Sequence, residues 1–241
     1  MADTPDYYKY LPNSVRLSLQ DMGELAARMG SIVTYDRRGE AVWFDKFGSG
    51  LSPYRTFTIG GGGSVTMRVD RVSYGNYSCV LIANAGSSSG SGIKRGFSFT
   101  RNNICGCEMS ISPDTSNSKV RLTINDFYNG GGKQFWVELD MLALTYGITL
   151  DGMTTTVLGS ISNLVNAEQI FTLIKLVVDF ENNKYVRLLI DRDEIDISQY
   201  SGSIFATVFP NSSQLLIQLT NQANAFADVF IGHIIITANE P

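Results

Sequence analysis

Residues 170–190 read IFTLIKLVVDFENNKYVRLLI, and this stretch decides the fold class. Two runs rich in β-branched and aromatic residues, 170–180 and 184–190, flank the triplet Glu181-Asn182-Asn183. Asparagine tolerates turn geometry, so the pattern predicts two antiparallel strands joined by a short turn. It is the clearest hairpin signal in the chain.

The rest of the chain carries further strand patterns at a spacing of roughly 8–12 residues. They lie at 31–35, 40–44, 64–70, 77–83, 93–100, 105–111, 118–125, 134–144, 214–220 and 228–238. Only a weak helical pattern over 160–167 interrupts them, and strands do not alternate with helices. We therefore predict an all-β antiparallel sandwich that forms one domain over residues 31–241.

Residues 1–30 differ from the rest and are predicted to form an N-terminal arm with a short helix over 18–30. Leu19, Met22 and Leu25 share one face of that helix by its 3.6-residue period. A helix this short is marginal alone in water, so the arm is expected to dock on the sandwich or on a neighbouring subunit. The residues expected to make such contacts are Tyr7, Tyr8, Tyr10, Leu19, Met22 and Leu25.

Composition limits the classes of partner. The net charge is −4, and no run rich in lysine and arginine occurs, which argues against a nucleic-acid partner. No apolar run approaches the roughly 20 residues of a membrane-spanning helix, and the N-terminus lacks the pattern of a secretory signal. These features predict a soluble protein made in the cytoplasm.

Cysteine and histidine are scarce. Cys79, Cys105 and Cys107 make an odd number, which argues against a closed disulfide framework. Three cysteines and the single His233, far apart in the chain, do not form a zinc motif. We expect no metal or cofactor here, three small buried thiols, and a histidine satisfied within the fold.

Two segments resemble known sandwich families. Asp45-Lys46-Phe47 with Gly50-Leu51, followed by 74–78, resembles the opening of jelly-roll carbohydrate-binding modules. The 171–190 hairpin with 228–238 resembles the late part of concanavalin A-like and laminin-G-like sandwiches. The resemblance implies a jelly-roll β-sandwich. The segment 23–47 also looks like the lead-ins of phage and bacterial sandwich proteins that are often virion components.

The likeness to carbohydrate-binding modules implies a shallow sugar site with aromatic platforms. The candidate residues are Tyr74, Asn76, Tyr77, Tyr128 and Trp136. The same aromatic side chains also suit a sandwich core or a subunit contact, and the sequence leaves both interpretations open.

Two acidic patterns suggest chemistry. Glu138 and Asp140 match the first two carboxylates of the Glu-x-Asp-x-(x)-Glu strand of laminarinase-like β-glucanases, whereas Leu142 or Ala143 replaces the third. A retaining glycosidase needs a carboxylic acid to protonate the leaving group, so the sequence predicts that the chain is not an enzyme. Asp191, Asp193 and Asp196 are spaced to bind Ca²⁺, with a solvated turn as the favoured alternative.

Three functions follow in order of preference. The first is a non-enzymatic structural subunit of a phage or virus particle, such as a capsid decoration or tail-associated protein. Such a subunit would be made in the host cytoplasm and assemble into a virion, as a homo-oligomer or bound to other particle subunits. The alternative is a carbohydrate-binding module or lectin-like protein with a glycan partner. The third is a laminarinase-like glycosidase, disfavoured by the missing carboxylate.

Overall fold

The computed structural model describes residues 38–73, 75–86, 88–97, 104–128, 130–150, 154–161, 171–191, 193–206 and 212–241. The described residues contain strands and turns but no helix, which confirms the all-β prediction. Within them, no helix has the length and apolar character needed to cross a membrane. The predicted arm at 1–30 and the strand at 31–35 lie outside the described residues, as does most of the helical pattern at 160–167.

Sixteen strands are described. They are β1 (Glu40–Asp45), β2 (Arg55–Ile59), β3 (Gly63–Arg68), β4 (Ser78–Ala83), β5 (Gly90–Phe97), β6 (Ile104–Pro113), β7 (Ser118–Tyr128), β8 (Gly131–Asp140), β9 (Thr145–Thr149), β10 (Thr155–Ser160), β11 (Thr172–Asp179), β12 (Lys184–Ile190), β13 (Asp193–Asp196), β14 (Ser203–Phe205), β15 (Ser212–Asn221) and β16 (Ala227–Ala238).

The strands form two eight-stranded sheets. The back sheet has the order β13-β12-β11-β6-β16-β4-β3, with β1 also paired to β16. The front sheet has the order β10-β9-β8-β7-β15-β5-β2, with β14 also paired to β8. Every described pairing is antiparallel, as predicted.

Period-two alternation places the core between the sheets. In β15, Leu215, Ile217 and Leu219 are buried, while Leu216 and Gln218 between them are only partly covered. Burying a side chain of this size contributes about 1.5–3 kcal/mol, so one such strand fixes which of its faces turns inward. The outward-facing side of the front sheet is called the front face below, and that of the back sheet the back face.

The hairpin at 170–190 is confirmed. β11 and β12 pair over Ile174–Asp179 and Lys184–Ile190. Asn183 adopts a left-handed φ of 54°, the conformation that asparagine tolerates better than most residues. The Asp179 carboxylate accepts a hydrogen bond from the Asn182 main-chain N–H at 2.9 Å and closes the turn.

Two predictions about local structure were wrong. The apolar run 134–144 is not one strand, because β8 ends at Asp140 and a turn at 141–144 leads into β9. Leu144 has a left-handed φ of 53° in that turn, although no glycine or asparagine marks it in the sequence. The acidic segment 191–196 is not a solvated turn throughout, because Asp193–Asp196 pairs with β12 as an edge strand.

The back face carries a buried charge cluster. The Lys175 ammonium lies 2.7 Å from Glu240 Oε1, and both side chains are fully buried. Arg187 pairs with the other oxygen of Glu240 and donates to the main-chain oxygen of Pro241 at 2.6 Å. These contacts fasten residues 240–241 to β11 and β12.

Candidate functional site

Strand register aligns one row of side chains across the front face. Trp136 of β8 lies opposite Thr123 of β7, and Thr123 lies opposite Leu216 of β15. Leu216 lies opposite Lys94 of β5, and Lys94 opposite Arg55 of β2. The neighbours of Trp136, Thr123 and Leu216 along their strands lie in the core, and partners in register share one face of a sheet, so all five belong to the front face. We call this set, with Thr149 added below, the central row.

Thr149 extends the central row beyond β8. The β8–β9 ladder pairs Val137 with Ile148, so the next position places Thr149 beside Trp136. The strand ladder stops there, and the hydroxyl of Tyr185 reaches across from the back sheet. This hydroxyl accepts a hydrogen bond from the Trp136 main-chain N–H at 3.1 Å and donates one to the Thr149 carbonyl at 2.8 Å. A core side chain therefore fixes the spacing of β8 and β9.

Three neighbouring polar groups of the central row have no hydrogen-bond partner. Thr123 Oγ1, Trp136 Nε1 and Thr149 Oγ1 are buried and unbonded, with the residues 1%, 4% and 0% exposed. Buried polar groups are almost always hydrogen-bonded, to protein, water or ligand. The other unbonded buried atoms lie in turns, in the interior and on the back face. These atoms have almost no accessible surface, so a hydroxyl-rich ligand can reach them only if the side chains that cover them, such as Arg121 over the Trp136 indole, move aside.

Arg121 covers the indole of Trp136. Its guanidinium carbon lies 4.0 Å from the ring centroid, within the range of a cation–π contact. The same guanidinium lies 2.5 Å from Glu138 Oε2, and the Lys119 ammonium lies 2.9 Å from Glu138 Oε1. Glu138 is thus buried beneath two cations that remain partly exposed.

Asp140 holds the turn that ends β8. Its carboxylate accepts hydrogen bonds from the Ala143 main-chain N–H and the Gln222 amide, each at 2.9 Å, and lies 3.2 Å from the Lys119 ammonium. Partial burial alone would raise the pKa of Asp140, but these donors outweigh it and hold the pKa below its usual range. The two cations and two carboxylates of this part of the front face balance.

An amide row lies beside the central row. Gln214 of β15, Asn125 of β7 and Gln134 of β8 occupy successive register positions. The Gln134 amide donates to Asn125 Oδ1 at 3.0 Å. Amide side chains both donate and accept hydrogen bonds, so this row adds groups of both kinds to the front face.

The structure does not gather the aromatic residues predicted for a sugar site. Asn76 and Tyr77 are exposed just before β4 of the back sheet, and Tyr77 is 40% exposed. Tyr128 ends β7, and Trp136 lies under Arg121 in the middle of β8. Tyr74 lies outside the described residues. A role in sugar binding stays a prediction for these residues, and only Trp136 belongs to the central row.

Sequence reasoning missed Thr123, Thr149 and Arg121. A signal for two of them was present, because 119–125 alternates strictly between polar and apolar residues. That alternation identifies one polar face with Arg121 and Thr123 on it. It does not reveal that β8 pairs with β7 and that β9 pairs with β8, because strand order depends on contacts between residues distant in sequence.

The prediction that Glu138 and Asp140 share one face of a strand is confirmed. Leu142, at the position of the third glucanase carboxylate, is 58% exposed in the turn after β8.

His233 is buried with partners, as predicted. Its Nδ1 lies 3.0 Å from the Ser110 hydroxyl and its Nε2 lies 3.4 Å from Glu108 Oε1. Ser110 also accepts a hydrogen bond from the His233 main-chain N–H at 3.1 Å. All three residues are at least 97% buried on the back face.

All three cysteines are buried thiols, as predicted. Burial raises the pKa of Cys105 to about 12, and raises the pKa values of Cys79 and Cys107 further.

The aspartates considered for Ca²⁺ have other roles. Asp191 accepts a hydrogen bond from the Leu173 main-chain N–H, and Asp196 one from the Ser198 main-chain N–H, each at 2.9 Å. Asp193 pairs in register with Ile190 at the start of β13. In the described portion of the chain, no three His, Cys, Asp or Glu side chains are grouped to hold a metal ion.

Comparison of the sequence with protein-family models finds no match, and comparison with curated proteins finds none either. The fold does have known counterparts. A protein of unknown function with a galectin-like fold from Bacillus subtilis matches with a TM-score of 0.54 and 11% identity, covering 85% of this chain and 99% of that one. The laminarinase catalytic domain from Thermotoga maritima MSB8 matches with a TM-score of 0.53 and 10% identity, covering 85% and 100%.

Lectin I-B4 from Griffonia simplicifolia, in its metal-free form, matches with a TM-score of 0.52 and 10% identity, covering 80% of this chain and 97% of the lectin. Together these similarities support the predicted concanavalin-like jelly-roll sandwich. At such low identity they establish the fold alone.

The prediction that the chain is not an enzyme was wrong. It treated one missing carboxylate as sufficient, whereas the same sandwich serves as the catalytic domain of a laminarinase. A fold that supports both a lectin and a glucanase does not exclude catalysis. The virion role and the oligomer stay predictions, since the six residues of the arm expected to make contacts lie outside the described residues.

Proposed function

We propose that the chain is a carbohydrate-binding sandwich that holds a glycan on its front face. The observation that carries this proposal is the set of three adjacent unbonded groups at Thr123, Trp136 and Thr149. An indole N–H only donates, and a threonine hydroxyl both donates and accepts. Sugar hydroxyls also do both, so a glycan that displaces Arg121 and any other covering side chain can bond to these groups.

The surroundings of these groups support the same ligand class. The amides of Gln214, Asn125 and Gln134 add donors and acceptors in the adjacent row. Lys119, Arg121 and the two carboxylates carry no net charge together at this end of the row, which suits the neutral hydroxyls of a sugar. The fold shared with a plant lectin is consistent with this function.

The test is binding to a glycan array, followed by calorimetry with the best ligand. Thr123→Val and Thr149→Val keep the side-chain shape and remove the hydroxyl, and Trp136→Phe removes the N–H. Each should weaken binding by about tenfold, the equivalent of one hydrogen bond to the ligand. Thr66→Val in β3 of the back sheet is the matched control and should bind like wild type.

Two results would contradict the proposal. One is a wild-type protein that retains no glycan on the array. The other is unchanged affinity in both threonine variants while Thr66→Val also binds normally.

A further inference from the structure

The far end of the central row carries two cations opposite each other. Arg55 on the edge strand β2 pairs in register with Lys94 on β5, and both belong to the front face. Like charges placed directly across an antiparallel pair are destabilising. Arg55 is exposed and Lys94 is half-buried, so both remain accessible to solvent.

These two cations lack the partners that other front-face cations have. Lys119 and Arg121 both pair with Glu138. Among the described residues, no ion pair or hydrogen bond joins Arg55 or Lys94 to another group. The nearest specific contact is that of the Lys94 ammonium, 6.0 Å from the Phe57 ring centroid.

The aromatic ring of Phe57 lies beside this cation pair. It lies opposite Gly92 on the front face, and a Cβ at Gly92 would stand 2.3 Å from Phe57 Cζ. The ring therefore occupies the space above the glycine backbone. At Gly96, the nearest atom to a Cβ would be 3.9 Å away, so the surface beyond Lys94 is open. The half-buried ring offers an apolar surface beside two positive charges.

We infer that the glycan is acidic, with an anionic group, carboxylate or sulfate, seated between Arg55 and Lys94. This inference rests on the proposed function and specifies its ligand. The Arg55 guanidinium can bind such a group with two parallel hydrogen bonds, and the Lys94 ammonium adds a point charge. The apolar face of the same sugar would pack on the Phe57 ring.

The row geometry allows one ligand to use both ends. Three strand-to-strand steps separate β8 from β5, and at about 4.8 Å each they total about 14 Å. The hydroxyl-binding end at Trp136 and the anion-binding end at Lys94 therefore lie within reach of one oligosaccharide. Leu216 lies between them as an apolar spacer.

The experiment compares three oligosaccharides of one backbone: neutral, carboxylated and sulfated. Wild type should bind at least one acidic form about tenfold more tightly than the neutral form, and that preference should shrink as salt rises. The double variant Arg55→Gln/Lys94→Gln should lose the preference and keep the neutral affinity. Lys184→Gln on β12 of the back sheet removes one positive charge far from this site and should keep the preference; the single variants Arg55→Gln and Lys94→Gln, which also remove one charge each, should weaken it.

A second probe needs no glycan. Sodium sulfate, compared with sodium chloride at equal ionic strength, should raise the melting temperature of wild type more than that of the double variant. If sulfate stabilises wild type more than the double variant while no glycan binds, the anion site is supported and the proposed glycan-binding function is refuted. If neutral and acidic oligosaccharides bind wild type equally, or the double variant keeps the acidic preference, the site at Arg55 and Lys94 is refuted. The proposed glycan binding on the front face is then still supported.

Discussion

On the back face, the buried charges of Lys175, Arg187 and Glu240 meet one another, whereas on the front face the unbonded groups of Thr123 and Trp136 lie side by side. Both faces belong to sheets of the same size and bury polar side chains. The back face pairs its buried charges with one another and leaves one nitrogen, Arg187 Nε, unbonded. The front face leaves part of its network open, and such open polar positions are where a ligand gains most by binding.

The largest expected effect separates the two charge clusters. Glu240→Gln on the back face leaves two buried cations without their acid, and we expect a loss of about 3–5 kcal/mol in the free energy of unfolding. Glu138→Gln is the same chemical change on the front face, where the partner cations reach solvent, so a loss of about 1 kcal/mol is expected. Urea unfolding measures both. Equal losses would show that the clusters do not differ.

A smaller effect is expected where the core supports the front face. Tyr185→Phe removes the hydroxyl that joins the Trp136 N–H to the Thr149 carbonyl. The loss should be about 1–3 kcal/mol because buried main-chain groups are left unbonded, and glycan affinity should fall as well. Tyr146→Phe in β9 is the control. A Tyr185→Phe protein with wild-type stability would refute the bridging role.

The next comparison uses one substitution on two faces. Thr237 is buried on the back face and donates its hydroxyl to Glu240, so Thr237→Val should lose about 1 kcal/mol. Thr123→Val removes a hydroxyl that bonds nothing in the folded chain, and stability should hold or rise slightly while glycan binding falls. Thermal unfolding of the two variants measures both changes in stability. If Thr123→Val lost as much stability as Thr237→Val, the Thr123 hydroxyl would also have a hydrogen-bond partner in the folded chain.

The smallest effect concerns pH. Because the folded-state pKa of Asp140 is depressed, its contribution to stability is present above the unfolded value of about 3.9 and is lost as pH falls through the folded pKa. Below about pH 4, wild type should therefore lose more stability than Asp140→Asn. Unfolding curves collected at steps of pH measure this difference. Parallel losses in the two proteins would count against the ion pair with Lys119.

Local sequence patterns predicted the fold well where side chains alternate. The β11–β12 hairpin and the shared face of Glu138 and Asp140 both follow from period two. β9 was missed because the turn at 141–144 is apolar and contains a left-handed leucine, so the sequence looks like one continuous strand. β2 was missed because its five residues follow a turn-rich segment and form a short edge strand.

The candidate site was less predictable, because it depends on which strands lie side by side. Trp136 was identified as an aromatic platform, but its neighbours Thr123 and Thr149 come from separate strands. Likewise, Lys175 appears in the sequence as one charge in an apolar strand. Its partner Glu240 lies in a segment that no local pattern connects to it.

The placement of the two tryptophans gives the protein an optical reporter. Trp43 packs against Tyr54 and Phe97 at one side of the core, whereas Trp136 lies in the central row with its indole N–H unbonded. In a Trp43→Phe protein, all tryptophan emission would come from the front face. A ligand that accepts a hydrogen bond from this indole and displaces Arg121 would change both the wavelength and the intensity of that emission. Ligand binding could then be followed in unlabelled protein by fluorescence titration.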